Sequence, residues 1–341
     1  MTARRTPCQT QRGAALLMAM ITVALVATLT AAALWRQWRG IEVESAERTR
    51  VQSAWLLTGA LDWARVLLQG DLYEDRKSGQ PADHLGEPWA VPLAESRLSD
   101  FLSAGGAGAS DLERNAFLSG QITDLQSRLN VLNLAVSNPQ MQADALARFT
   151  RLFQSLGLPT GQLAALQRNL ICAYAKMYPG QSRTAGCNTG GDIPLLPQRV
   201  EQLIWLGLEP ATVTRLMPYV TVLPLDPGRI TPINLNTASS VVIYAALPGL
   251  DLAQAERLVT LRQSAYFETT DKAARRGDID SASMDSWADV KSSFFEVRGR
   301  LRLDDVALQE VAAVQRFNNP PRVRPLWRAR GALKAPGPGG P

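Results

Sequence analysis

The chain carries little of the equipment that bond-breaking chemistry needs. It has one histidine, His84, in the run Asp83-His84-Leu85-Gly86-Glu87. No serine or cysteine stands in a nucleophile-elbow setting, and no histidine and cysteine share a metal-ligand spacing. A loop histidine satisfied by its neighbours is the reading that remains, and no catalysis is expected. Cys172 and Cys187 lie fifteen positions apart. In an oxidising compartment they are natural disulfide partners, closing a loop worth about 3 kcal/mol in the chain-entropy account; in a reducing one they would be separate thiols. The third cysteine, Cys8, precedes an apolar segment. Carboxylates crowd residues 268–289, where Asp271, Asp278, Asp280 and Asp285 are candidate calcium ligands. The segment lacks the EF-hand pattern, so a solvated acidic loop is the competing reading and a cofactor is not required.

The segment INLNTASSVVIYAALPGLDLAQAERLVTLR, residues 233–262, resembles a helix-hairpin-helix of the kind that grips DNA backbone. In that motif glycines let hairpin N–H groups approach a phosphate. Here Asp251 stands where the second glycine would be, placing a carboxylate at the phosphate position. The formal charge of +5 gives no broad phosphate-binding face either. Arg4, Arg5 and Arg12 are at the extreme N-terminus, and Arg322, Arg324, Arg328, Arg330 and Lys334 lie in the last twenty residues. Structural packing is expected of this hairpin, and nucleic acid is not an expected partner.

These residues need elements to position them, and the first is membrane-sized. Residues 14–35 (AALLMAMITVALVATLTAAALW) contain no charge. At about 1.5 Å per residue a helix there crosses a hydrocarbon layer of about 30 Å. Arg4, Arg5 and Arg12 on the near side place that end in the cytoplasm, and Trp35 and Trp38 suit the far interface. Arg36 and Arg39 dilute the asymmetry. A cleaved secretory signal is the alternative, since Ala31-Ala32-Ala33 offers small residues for cleavage. Against it, residues 36–68 lack proline and continue in helical register, with Glu44 four residues before Arg48. One helix of more than fifty residues is therefore expected, apolar on nearly every side over residues 54–68, as if clasped by a folded domain.

At this point the residues resemble a family. Gln11-Arg12-Gly13 followed by Ala14-Ala15-Leu16-Leu17 is similar to the leader junction of type IV pilin-like proteins. The blocks GALDWAR (59–65), DHLGEPWAVPL (83–93), GQITDLQSRLNVLNL (120–134), INLNTAS (233–239) and FFEVRGRLRL (294–303) resemble the minor pseudopilin K family of type II secretion systems. The resemblance runs from Gln11 to about Phe317. It implies cleavage between Gly13 and Ala14 by a prepilin peptidase, a single-pass inner-membrane anchor and a periplasmic body. Partners would be the other minor pseudopilins of a tip complex and the inner-membrane secretion platform. Met18 would be the fifth residue of the processed chain, where most such subunits carry glutamate. A carboxylate in hydrocarbon costs several kcal/mol unless paired, and a subunit that starts a filament has no predecessor whose amine could pair it.

The expected architecture is α+β: a pilin-like long N-terminal transmembrane helix packed on an antiparallel sheet, with a large all-α insert of helical hairpins, one of them helix-hairpin-helix or SAM-like. The divisions are residues 1–13 leader, 14–35 membrane segment, 36–137 first part of the pilin-like domain, 138–285 insert, 286–320 closing strands and 321–341 a disordered basic tail. Residues 70–108 read as an irregular connection with a flexible loop at 105–108, and residues 117–134 as a hairpin. Strands on either side of the insert should pair. Within it, Leu156-Gly157-Leu158, Leu206-Gly207-Leu208 and Pro248-Gly249-Leu250 mark helical turns, with Thr160 and Asp251 as caps. The function expected is structural: a tip subunit that organises the other minor pseudopilins and starts a filament for export across the outer membrane. An adhesin or a DNA-uptake component with a similar anchor is the alternative.

Overall fold

The computed structural model describes residues 12–79, 81–100, 116–180, 187, 193–226, 228–284, 286–303 and 306–333. The chain divides into two compact units, 1–56 and 57–341. Helix α1, Arg12–Ser78, is continuous over 67 residues. No proline interrupts it, and exposed pairs such as Arg48–Glu44 at 3.3 Å support its polar stretch. Gly70 does not end it; the helix runs eight residues further than the turn-forming composition suggested. In the first unit every residue from 13 to 48 is exposed, including the uncharged run 14–35. This helix is long and apolar enough to cross a membrane, none of the described residues buries its apolar stretch, and lipid is the solvent that matches such a surface.

In the second unit α1 presents Leu57, Leu61, Ala64, Leu68 and Leu72, at intervals of three or four residues, as a buried stripe. The stripe packs on a five-stranded antiparallel sheet in the order β1-β2-β7-β8-β9. These strands are Leu93–Arg97, Ala116–Asp124, Phe294–Leu303, Val306–Asn318 and Pro321–Leu333. Leu61, Ala64 and Leu68 join Trp89, Ile122, Phe295, Val297, Ala312, Val314 and Val323 in one core. Trp89 meets Phe295 edge-on, ring centres 5.1 Å apart. The strands flanking the insert do pair, from Ala116 opposite Leu303 to Asp124 opposite Phe295.

Three expectations about this unit are corrected. Residues 117–134 are not a hairpin: β2 ends at Asp124, whose carboxylate accepts from the Gln126 N–H and turns the chain into a short 3-10 segment, Leu125–Ser127. Residues 321–341 are not a disordered tail throughout, because Pro321–Leu333 forms β9, paired with β8 over its whole length. Prolines are tolerated on an edge strand, where one row of backbone groups has no ladder partner, and Pro325 sits beside a bulge. The helix over residues 54–68 is not clasped all round, since Trp55, Trp63 and Val66 are at least half exposed. The loop expected at 105–108 lies outside the described residues.

The insert is one helical body with one core. Its helices are α2 Pro139–Ser155, α3 Thr160–Met177, α4 Pro210–Leu216, α5 Ser240–Ala246, α6 Leu252–Ser264 and α7 Thr270–Gly277. Phe149, Leu152 and Phe153 of α2, Leu163, Leu166 and Leu170 of α3, and Val242 and Ile243 of α5 fill its centre. Two-stranded parallel pairs, β3 Leu129–Asn130 with β4 Val220–Thr221 and β5 Ile233–Asn234 with β6 Ala288–Asp289, fasten it at its base. Gly157 and Gly207 take φ of 62° and 93°, the left-handed geometry that ends a helix at little cost only for glycine. Asp251 caps α6 through a reciprocal box with Gln254, as expected. Thr160 is not a cap, because α3 begins at Thr160 itself after Pro159.

Candidate functional site

Two features of the body are candidates for function: an uncovered face of α1 and a buried polar joint. On the outer side of α1, Gly59, Trp63, Val66, Gly70 and Tyr73 follow one another at alternating intervals of four and three residues, with Trp63 at the edge, where it also lines a cavity beside Pro88, Val91 and Leu118. That is the spacing of a seam between two helices. Trp63, Val66 and Tyr73 are 50%, 58% and 52% exposed. A Cβ at Gly59 or Gly70 would meet nothing within 4 Å, so a second backbone could approach closely at both points. The apolar composition that suggested a clasped helix is thus split between an inner face on the sheet and a half-exposed outer face. In the membrane part, Met18 is exposed like its neighbours, and Gly13 and Ala14 lie at the start of the helix.

The joint sits where the pilin-like sheet meets the helical insert, and it is built by residues far apart in sequence. Asp124 at the end of β2 accepts from the Gln126 N–H, the Asn234 amide, the Thr237 hydroxyl and the Ser292 hydroxyl, at 2.5 to 3.0 Å. Asn234 also donates to the Asp83 carbonyl, and the Asp83 N–H donates to the Val290 carbonyl. Arg316 of β8 reaches Asp83 at 2.5 Å and Asp71 at 2.7 Å, and donates to the Ser292 carbonyl. Beside it, the buried Glu87 accepts from the Trp89 indole at 2.6 Å and from the His84 N–H at 3.0 Å. The single histidine is satisfied as expected: its Nδ1 accepts from the Gly86 N–H, and its ring stacks on Tyr266 of the insert with centres 3.9 Å apart.

Burial dominates the electrostatics of this joint. It raises Asp71 and Asp124, and lifts Asp75 to about 6, Asp83 to about 7 and Glu87 to about 8. Asp71's charge adds to the rise at Asp75, Asp83 and Glu87, while Arg316 opposes it at Asp75 and Asp83. Burial also pulls His84 down. For Arg316 the same burial is outweighed by Asp83 and Asp71, which hold the guanidinium charged.

The residues singled out for chemistry meet different fates. Cys172 and Cys187 are bridged, their Cα atoms 5.5 Å apart. Asp271 lies in the first turn of α7, Asp278 is that helix's left-handed cap at φ 55°, and Asp280 caps a 3-10 turn by accepting from the Ala282 N–H. Asp285 lies outside the described residues. Among the described residues the three acidic groups whose oxygens converge within 4.8 Å are instead Asp71, Asp83 and Glu87. Arg316 already places its charge on two of them. The helix-hairpin-helix turn, residues 247–251, is tied to α2, with Leu247 and Leu250 buried and Pro248, Gly249 and Asp251 exposed. Arg151 donates to the Pro248 and Leu250 carbonyls and Arg148 to the Ala246 carbonyl, so arginines of α2 occupy the hairpin's acceptors. That arrangement is packing, and the Asp251 carboxylate is spent on its own helix.

Two family models, each described as type II secretion system protein K, match residues 127–225 and 233–292. The first spans the β3–β4 pair and the first half of the insert, and the second holds the hairpin together with Asn234, Thr237 and Ser292 of the joint. The type II secretion system protein K of Pseudomonas aeruginosa is 28% identical, with 97% of this chain and 96% of that protein covered. That of Klebsiella pneumoniae is 26% identical over 90% of this chain and 93% of its own length. Among solved structures, a chain in the GspK-GspI-GspJ complex of the enterotoxigenic Escherichia coli type 2 secretion system shares the fold. Its TM-score is 0.61 at 18% identity, over 84% of this chain and 98% of that one. Two family models, relatives matched at nearly full length and a solved neighbour with the same long helix, antiparallel sheet and all-α insert all support the type II secretion system protein K family for this chain.

Proposed function

We propose that this chain is the tip subunit of a periplasmic pseudopilus. A prepilin peptidase removes residues 1–13, the helix from Ala14 stays in the inner membrane, and the body organises the other minor pseudopilins so that filament growth can start beneath it. It works by packing and performs no catalysis. The observation that carries this reading is the outer seam of α1. Covering about half of one tryptophan, roughly 100 Å², is worth about 2–3 kcal/mol at ~25 cal/mol per Å². Trp63, with Val66, Tyr73 and two glycines in register, therefore provides an anchor that a neighbouring helix can close on. Met18 fits the same reading, since the first subunit of a filament has no amine ahead of it to neutralise a carboxylate at that position.

The test is co-purification from the membrane of a secreting cell. The intact chain should bring down the other minor pseudopilins, and Trp63→Glu should lose them while remaining folded and anchored. Retention of the full set by Trp63→Glu would remove the seam from the mechanism. N-terminal sequencing of the same material should read from Ala14.

A further inference from the structure

We propose that the carboxylate-lined joint is proton-sensitive, holding the helical insert to the pilin-like body more tightly at mildly acidic than at alkaline pH. Its geometry brings five carboxylates together against one buried guanidinium. From α1 come Asp71 and Asp75, from the segment after it Asp83 and Glu87, and from the end of β2 Asp124; β8 supplies Arg316. The other charged or titratable groups around it are His84 and Tyr266, stacked on one another, and Arg262 beside them, whose guanidinium donates to the Leu235 and Ala238 carbonyls. On the open side a polar cavity of about 340 Å³ is lined by Asp75, Asp226, Arg229, Asp289 and Lys291. One guanidinium cannot neutralise all five acids, and Glu87 and Asp124 bond to uncharged donors.

The segment bearing Asp83, His84 and Glu87 is the clip of this joint. It touches the sheet through Arg316 and Trp89, and the insert through Asn234, Val290 and Tyr266. A carboxyl whose pKa is higher in the folded state binds its proton more tightly there. Its stabilising contribution is complete below the unfolded value near 4 and is lost as pH rises through the folded value. For Asp75, Asp83 and Glu87 that loss builds up from about 4 and is complete at about 6, 7 and 8. Ionisation of buried acids that outnumber the cations beside them then works against the clip across the neutral range. A group that takes up a full proton on closing changes the opening equilibrium by up to about tenfold per pH unit.

Hydrogen exchange on the full chain in detergent micelles tests this, with rates corrected for intrinsic pH dependence. In residues 231–237 and 288–292, opening should be at least about tenfold more frequent at pH 8 than at pH 6.5. Glu87→Gln keeps an acceptor for the Trp89 indole and imitates the protonated acid, so it should flatten the profile above pH 7; Glu256→Gln, on an exposed helix face, should leave it unchanged. Flat or inverted opening in the unsubstituted protein overturns the proposal, and this arm stands even if Glu87→Gln does not fold. A Glu87→Gln profile as steep as the original above pH 7 overturns it as well.

Discussion

Replacing Arg316 with methionine removes the one buried cation of the joint and leaves much of the side chain's volume. Arg316 is 5% exposed, contacts Asp83 through both carboxylate oxygens at 2.5 and 2.6 Å, bonds Asp71 at 2.7 Å and lies 5.0 Å from the centre of the Phe295 ring. Two effects compete. Methionine restores apolar packing on Phe295, worth about 1 kcal/mol or less, whereas an orphaned buried charge costs about 3–5 kcal/mol. The second effect wins at pH 8, so Arg316→Met should destabilise the second unit by about 3 kcal/mol or more there. The cost should shrink toward pH 6, because Asp83, already lifted to about 7 with Arg316 in place, then takes a proton and ceases to be a charge. Adding Asp83→Asn should recover part of the loss, since removing both partners costs less than removing one. Chemical unfolding of the full chain in detergent, followed by tryptophan fluorescence, measures all three. A loss below about 1 kcal/mol at pH 8, or one that grows on acidification, would refute the reasoning.

Cys172→Ser should lower the stability of the insert by about 3 kcal/mol, the loop-closure value for fifteen residues. Reductant should do the same to the original protein and nothing further to the variant, as read by thermal unfolding. Gly249→Ala places a Cβ 2.5 Å from the Ser283 hydroxyl, so it should destabilise by about 1–3 kcal/mol. Ser283→Gly in the same chain should restore most of that, and an unaffected single variant would mean the close approach is absent in solution. Phe295→Ala, which empties the space between Trp89, Arg316 and α1, should cost about 3–5 kcal/mol in the same unfolding assay.

What could be read from the sequence was what depends on neighbours along the chain. The length of α1 follows from an unbroken helical register, the α6 cap from Asp251 and Gln254 three residues apart, and the turns at Gly157 and Gly207 from glycine's freedom at positive φ. The flanking strands were visible as two β-rich runs after a helical stretch. The errors fall where a distant partner decides. PRVRPLWRARGAL reads as a charged, proline-interrupted tail, yet it becomes β9 because β8 offers an open edge. Arg330 finds Glu310 there, and Trp327 packs against a core cluster with Phe294 and Ala313.

The joint was hidden for the same reason, since Arg316 and Asp83 are separated by 233 positions. A trace of it is nevertheless present: Asp124 precedes Leu125, and Asn234 stands between Ile233 and Leu235, all of them core residues. A polar residue in such a place must be bonded or expelled. Both are almost fully buried and both are bonded to residues from other segments, so each marks a crossing point between body and insert. The calcium candidates lacked that sign. Asp271, Asp278 and Asp280 sit in an already polar segment where water can solvate them, and the structure uses Asp278 and Asp280 as local caps. The informative acid in this chain is therefore the isolated one in apolar surroundings, whose burial has to be explained by a partner elsewhere.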